Sequence, residues 1–368
     1  MSIKEYGFWE YSCPFSGQAA WYQREDWERL LDDMAGGGMN SLALVVKWAT
    51  TGYRSSLPWL DQDPKNCAAV ATGNELLQQV LDMAHQRGIK VWIAGVCSGF
   101  MVREFGIAPP DGKRKGSFAY DPDYPGVLER ICELFREITA LFQAADGLVV
   151  EMESVDSDWP HRVPLYNQWA EANRRPSYGE LKAERLDARH YQKRHWRDFT
   201  TSRRCLALQE IEKTVRGGGF RGGLAMICET SNEGGAYVQA VNLHQYRESM
   251  PGWAAVTYDY NRHFDRWADV DFCIEQPKRC GLETYYLGRG VMTFEGKLGI
   301  PLAEHWRLDL EDVRRFQPDG FWFFGTDAAE KKNCHSWRPL LQEYGFADGL
   351  AARRELLSLG RQILGKGT

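Results

Sequence analysis

In "YPGVLERICELFREITALFQAADGLVVEMES", residues 124 to 154, apolar residues first recur at helical spacing and then run together as "GLVV" before a polar end. The first part predicts an amphipathic helix with Pro125 in its first turn, and the second a short buried strand. The same order occurs twice upstream. "GNELLQQVLDMAHQRGIKVWIAGVCSG" reads as a helix, a glycine and a strand over 90 to 97. "REDWERLLDDMAGGG" places Trp27, Leu30, Leu31 and Met34 at helical spacing, stops on glycines and leads into "MNSLALVVKW". Three successive helix-then-strand units indicate a parallel α/β architecture, because parallel neighbours need a crossover and buried strands need both faces covered.

Later segments continue the alternation. A helical region around 181 to 216 ends at the glycines 217 to 219 and precedes "GGLAMICET"; a helix expected over 236 to 248 precedes "WAAVTYDYN"; "GLETYYLGRG" and "DGFWFFGTD" follow. With "EYGFWEY" as the first strand the count reaches eight, which favours a (β/α)8 TIM barrel over a doubly wound sheet. The 368 residues are expected to form a single catalytic barrel domain, 1–368, with long loops after strands three and four, residues 98 to 123 and 155 to 180, walling a pocket. The triple glycine at 36 to 38 follows a helix rather than a strand, so it reads as a helix stop and not as a cofactor loop.

Composition narrows the function. A net charge of −5 provides no broad positive field, and the basic runs Lys113 to Lys115 and Arg203 to Arg204 are short enough to read as solvated faces. Neither nucleic acid nor membrane is an expected partner. Nine cysteines without zinc-type spacing read as reduced core residues. Together with an N-terminus, "MSIKEYGFWEY", that lacks the pattern of a secretion signal, they lead to an expected cytoplasmic location. A homo-oligomer is left open. Fourteen tryptophans and sixteen tyrosines suit sugar rings as well as core filling.

Strand alternation makes Glu151 and Glu153 share one face, with Cα atoms about 6.5 to 7 Å apart. At the C-terminal end of a barrel strand that face points to the axis and the mouth, where an unpaired carboxylate is costly unless water or a partner reaches it. A structural ion-pair network is the alternative use for them. Other expected strand ends add Lys47 and Trp48, Glu229, Tyr258 and Asp259, Arg289 and Asp327, and the loop "DSDWPHR" adds Trp159 and Arg162. Glycosidic cleavage commonly needs a protonated carboxyl and a second carboxylate, and two glutamates in one site push their ionisations apart. Glu229 and Asp259 rival Glu151 for the second role. Lys47, Trp48, Trp159, Arg162, Tyr258, Arg289 and Asp327 are the expected substrate-binding residues.

"DGLVVEMES" is similar to the fourth-strand signature of the family 18 chitinase-like hydrolases, DGxDxDxE, and "VTYDYN" resembles that family's sixth-strand Tyr-Asp motif. The resemblance implies a glycoside-hydrolase-type barrel with Glu153 as general acid/base and with Tyr258 and Asp259 positioning substrate. Val149 and Glu151 stand where the family has aspartates, so the resemblance supports a sugar-cleaving barrel more than N-acetylglucosamine specificity. Hexosaminidase and α-glucuronidase barrels are related possibilities. The expected activity is therefore that of a glycosidase acting on a small glycoside or oligosaccharide, with no cofactor and no metal. A metal-dependent sugar isomerase or epimerase and a non-catalytic carbohydrate-binding barrel are the alternatives. Histidines weigh against the metal enzyme: His85 and His190 fall in helical segments, and none falls at an expected strand end.

Overall fold

The computed structural model describes residues 3–10, 22–46, 52–60, 73–94, 121–152, 160–183, 194–233, 236–239, 241–259, 270–289, 301–325 and 349–365. Of residues 229–233, 236–239, 259, 270, 271 and 289 it describes the backbone alone. Eight parallel strands close into a barrel: β1 (Glu5–Glu10), β2 (Ser41–Val45), β3 (Lys90–Ala94), β4 (Gly147–Val150), β5 (Gly223–Glu233), β7 (Trp253–Asp259), β8 (Thr284–Arg289) and β9 (Gly320–Phe324). Pairing of β1 with β9 shuts the ring, with Glu5 opposite Gly320 and Trp9 opposite Phe324. This is the expected TIM barrel.

Helices α1 (Arg24–Gly36), α2 (Asn74–Gln86), α3 (Val127–Leu141), α6 (Arg194–Gly217), α7 (Leu243–Ser249), α8 (Val270–Arg279) and α9 (Leu302–Phe316) alternate with the strands, and α10 (Gly349–Leu364) follows the last. Each of the early ones buries the stripe that its sequence displays: Trp27, Leu30, Leu31 and Met34 on α1, and Val127, Ile131, Leu134, Phe135 and Ile138 on α3. Pro125 lies before α3 rather than in it, because Gly126 takes a left-handed cap conformation with φ 82° and the helix starts at Val127. The segment after β4 is not all loop. It contains α4 (Arg162–Ala172) and α5 (Tyr178–Ala183). Their aromatic residues Tyr166 and Tyr178 pack on Trp196 and Phe199 of α6. The helix expected over 236 to 248 divides into a strand, β6 (Ala236–Gln239), and the shorter α7. β6 turns back antiparallel on the end of β5, pairing Thr230 with Gln239 and Glu233 with Ala236.

The strands bury both faces. Leu42, Leu44, Leu148, Val150, Met226 and Phe321 face the helices, whereas Trp9, Ala43, Trp92, Val149, Ala225, Val256, Tyr285 and Trp322 fill the barrel. Near the N-terminal end of the barrel, Tyr285 stacks on Trp322 with ring centroids 4.7 Å apart, and Trp92 meets both rings at 5.2 and 5.8 Å. Glycine makes room for them. A Cβ at Gly147 would overlap the Trp92 ring, and one at Gly320 would overlap Tyr285. Several of the abundant aromatic residues are thus barrel filling.

Candidate active site

Inward positions on β4 run through Gly147 and Val149, so the period of two turns Glu151 to the barrel interior, where it is 8% exposed. Leu148, Val150 and Met152 pack outward against the helices. On β7 the inward series is Ala254, Val256 and Tyr258, and Tyr258 is 6% exposed. Val150 pairs with Met226 and Met226 with Ala255, which fixes relative heights. Glu151 stands one residue above that level and Tyr258 three, so Tyr258 lies about 6.6 Å farther toward the C-terminal mouth at 3.3 Å per residue. Glu229 is directly opposite Tyr258 in the ladder, and Asp259 is opposite Thr230. Arg289 pairs in backbone register with Phe324. The structure therefore assembles Glu151, Tyr258 and the backbone positions of Glu229 and Asp259 on three adjacent strands. Lys47, Trp48, Glu153, Trp159 and Asp327 lie outside the described residues.

Topology adds a wall. At Thr230, β5 pairs with Asp259 of β7 on one side and with Gln239 of β6 on the other. Since a strand has two edges, β6 occupies the β4 side of β5 and stands above the level at which β4 ends. The hairpin overhangs the strand that carries Glu151. In the sequence, the glycine pair 234 to 235 between polar and β-forming residues is the signal that divides β5 from β6.

Arg162 does not join the mouth. Its side chain is fully buried, with Nε 3.2 Å from Asp123 and 3.7 Å from Asp121, and its guanidinium lies 5.3 Å from the Phe199 ring centre. It braces α4 against the end of the β3 loop instead of presenting donors to a sugar. His161 Nε2 meets Asp121 at 2.6 Å in the same cluster. The Arg203–Arg204 pair is likewise no solvated face. Arg203 Nε donates to Asp123 at 2.6 Å, and Arg204 is 2% exposed, its Nη2 donating to the Met152 carbonyl at 3.4 Å. Sequence reasoning missed this arginine although Thr200, Arg204, Leu208, Ile211 and Val215 form one helical stripe, all buried. The next residue, Cys205, has its thiol pushed up to about 11 by burial, with Ser249 and Arg204 pulling the other way.

No group of three or more His, Cys, Asp or Glu that could hold a metal ion occurs among the described residues. Five cysteines among them, 132, 205, 228, 273 and 280, are free thiols. No helix among them is long and apolar enough to cross a membrane.

No family model matches the chain, and no curated protein matches it in sequence. Solved structures do. The chain is similar to a β-galactosidase from the psychrophilic Marinomonas ef1, with TM-score 0.61 and 11% identity over 97% of this chain and 59% of that one. It is similar to a GH20 exo-β-N-acetylglucosaminidase from Vibrio harveyi, with TM-score 0.53 and 13% identity over 99% of this chain and 57% of that one. The catalytic domain of a β-amylase from Paenibacillus polymyxa matches with TM-score 0.53 and 9% identity over 100% of both chains. The chain thus spans less than two thirds of the β-galactosidase and the hexosaminidase. What it shares with all three is the fold, a (β/α)8 barrel.

Proposed function

We propose that the chain is a glycosidase that cleaves a glycosidic bond in a small glycoside or oligosaccharide by carboxylate general acid/base catalysis. Glu153 acts as general acid/base, and Glu151 as nucleophile or as stabiliser of the oxocarbenium-like centre. Tyr258, Asp259 and Glu229 complete the polar floor. Lys47, Trp48, Trp159, Arg289 and Asp327 contact the sugar, and Arg162 leaves that set because its side chain is fully buried.

The observation that carries this reading is the position of Glu151: an acidic side chain turned into the barrel at the C-terminal end of β4, where (β/α)8 enzymes keep their chemistry. A carboxylate there is expensive to bury for packing alone. With two glutamates in the site, one is kept protonated by the charge of the other and protonates the leaving oxygen, while its neighbour meets the anomeric carbon or activates water. A separation of about 5 to 5.5 Å selects the retaining route and about 6.5 to 9.5 Å the inverting one. The hairpin above β4 supports a substrate that enters by one end, as a small glycoside does.

A panel of chromogenic glycosides tests the proposal, covering hexoses, N-acetylhexosamines and uronic acids in both anomeric configurations. Release of chromophore that persists after dialysis against a chelator is the expected result. Failure to cleave any member, or loss of the rate on chelation, would overturn it.

A further inference from the structure

Residues 52 to 60 lie against α3, and three of their donors converge there on one side chain. The Glu137 carboxylate accepts from the Tyr53 hydroxyl, from the Ser56 hydroxyl and from the Ser56 amide at 2.8 Å. One turn earlier on α3, Glu133 accepts from Trp59 Nε1 at 2.6 Å, and the Arg130 guanidinium lies 4.6 Å from the Trp59 ring centre. On the α2 side, Arg54 N donates to Asn74 Oδ1 at 2.7 Å, and Asn74 Nδ2 donates back to the Arg54 carbonyl at 2.6 Å. The segment belongs to the β2–α2 connection, which in a (β/α)8 barrel leaves the C-terminal face, so it joins that face to the helix layer. We propose that residues 52 to 60 are a strap that opens as a unit, separately from the barrel, and that Glu137 is the acid-sensitive latch holding it on α3.

The strap is attached differently from the barrel strands. A barrel strand is bound to both neighbours by a backbone ladder, whereas the strap's amides reach side chains: Arg54 to Asn74, Ser56 to Glu137 and Leu57 to Ser55 Oγ at 3.1 Å. The bond from Leu60 N to the Leu57 carbonyl, at 3.2 Å, is internal to the segment. Segments fixed in this way open locally at a cost below that of global unfolding. Tyr53 is fully buried and Leu60 nearly so, with Leu57 and Trp59 packed on the same core, so docking is the resting state and the latch sets how often it is left. The Arg54–Asn74 pair joins a backbone to an amide and does not titrate. Glu137 does. Burial pushes its carboxyl up, but the Ser55, Ser56 and Tyr53 hydroxyls and the Ser56 amide outweigh that and hold it below the ordinary glutamate range. The latch is therefore complete above the unfolded glutamate value and is lost as pH falls through the folded one. The Tyr53 hydroxyl is driven far up its range, by burial first and then by Glu137, so it remains a donor. The other charged groups at this junction are Arg54 on the strap and Arg130, Glu133 and Arg136 on α3. The α2 stripe through Gln78, which donates to the Leu141 carbonyl, carries Glu75 and Asp82, and α6 meets α3 around Cys132, where it brings Glu210.

The test is amide hydrogen exchange, read residue by residue in the native chain, E137Q and E133Q. Glutamine keeps the size of Glu137 and removes its charge, as protonation does. At pH 7 the Ser56 and Leu57 amides of E137Q should exchange about 10- to 100-fold faster than in the native chain, the loss expected for hydrogen bonds to a charged acceptor, while the barrel strands keep their protection. E133Q should leave Ser56 near the native rate. In the native chain, strap opening corrected for intrinsic exchange should rise by the same factor as pH falls from 7 to about 3, and E137Q should show no such rise. Unchanged Ser56 exchange in folded E137Q would overturn the proposal. An equal gain in E133Q would do the same, as would strap and strands losing protection together on acidification. Should E137Q not fold, Y53F decides: with one donor to Glu137 removed, the acid midpoint of strap opening should move to higher pH, and an unmoved midpoint would overturn the latch.

Discussion

Two glutamates stand inside the same barrel, one at each end, and they differ in what surrounds them. Glu5, at the N-terminal end, accepts from Ser41 Oγ at 3.0 Å, from Trp92 Nε1 at 2.7 Å and from Lys90 Nζ at 2.9 Å. Ser41 in turn accepts from Trp322 Nε1 at 2.9 Å. Burial, then the negative charges of Glu5, Glu283 and Asp319, drives the Tyr285 hydroxyl far up its range, so it stays neutral. The carboxylate belongs to a plug of aromatic rings seated over glycines. Glu151, at the other end, stands above Val149, two residues below Tyr258 in height and beside a hairpin. A buried acid is thus no sign of chemistry in itself: Glu5 stabilises the closed end, and the end of the strands where Glu151 sits is the one that loops can reshape.

Substitutions at the two ends should separate activity from stability. The largest effect is expected at the mouth: Glu153→Gln should lower turnover of the cleaved glycoside by about 10² to 10⁴, with a melting temperature close to that of the native chain. Activated leaving groups should suffer less than natural ones. At the closed end the effects should fall on stability instead. Trp92→Ala removes the ring that sits over Gly147 and holds Glu5, and urea unfolding should show a loss of about 3 to 5 kcal/mol. Gly147→Ala forces a methyl into that ring and should cost about 1 to 3 kcal/mol by the same measurement.

Lys90→Met should be the mildest, about 0.5 to 1 kcal/mol, since the Lys90 side chain is 52% exposed and water screens its pair with Glu5. Its ammonium is held above the ordinary lysine range, first by the hydrogen bond to Glu5. This contribution is therefore complete below the unfolded lysine value and fades as pH rises through the folded one. Unfolding measured at pH 7 and pH 11 should show the native chain and Lys90→Met converging at the higher pH. Equal differences at both would show that packing, not charge, accounts for the loss.

The barrel's strands were legible from sequence, and less of what fills its two ends. Short apolar runs, most of them following a helical segment, located all eight barrel strands, because local periodicity suffices when both strand faces are buried. Period-two alternation likewise turned Glu151 inward. What sequence did not show depends on distant partners. Arg162 in a polar loop reads as a ligand-facing residue until Asp121 and Asp123 fold back onto it, and Arg203–Arg204 reads as surface until Arg203 meets Asp123 and Arg204 is buried against the Met152 carbonyl. The β5–β6 hairpin was hidden for another reason: residues 236 to 239 are too few to separate a strand from the first turn of a helix.

The pH dependence of kcat/KM, measured for the native chain and for Glu153→Gln on the same glycoside, decides whether Glu153 is the general acid. A bell is expected for the native chain and, for the variant, loss of the alkaline limb together with the fall in rate, because the group that must stay protonated has been replaced by one that does not titrate. A variant that keeps the full rate and both limbs would contradict it.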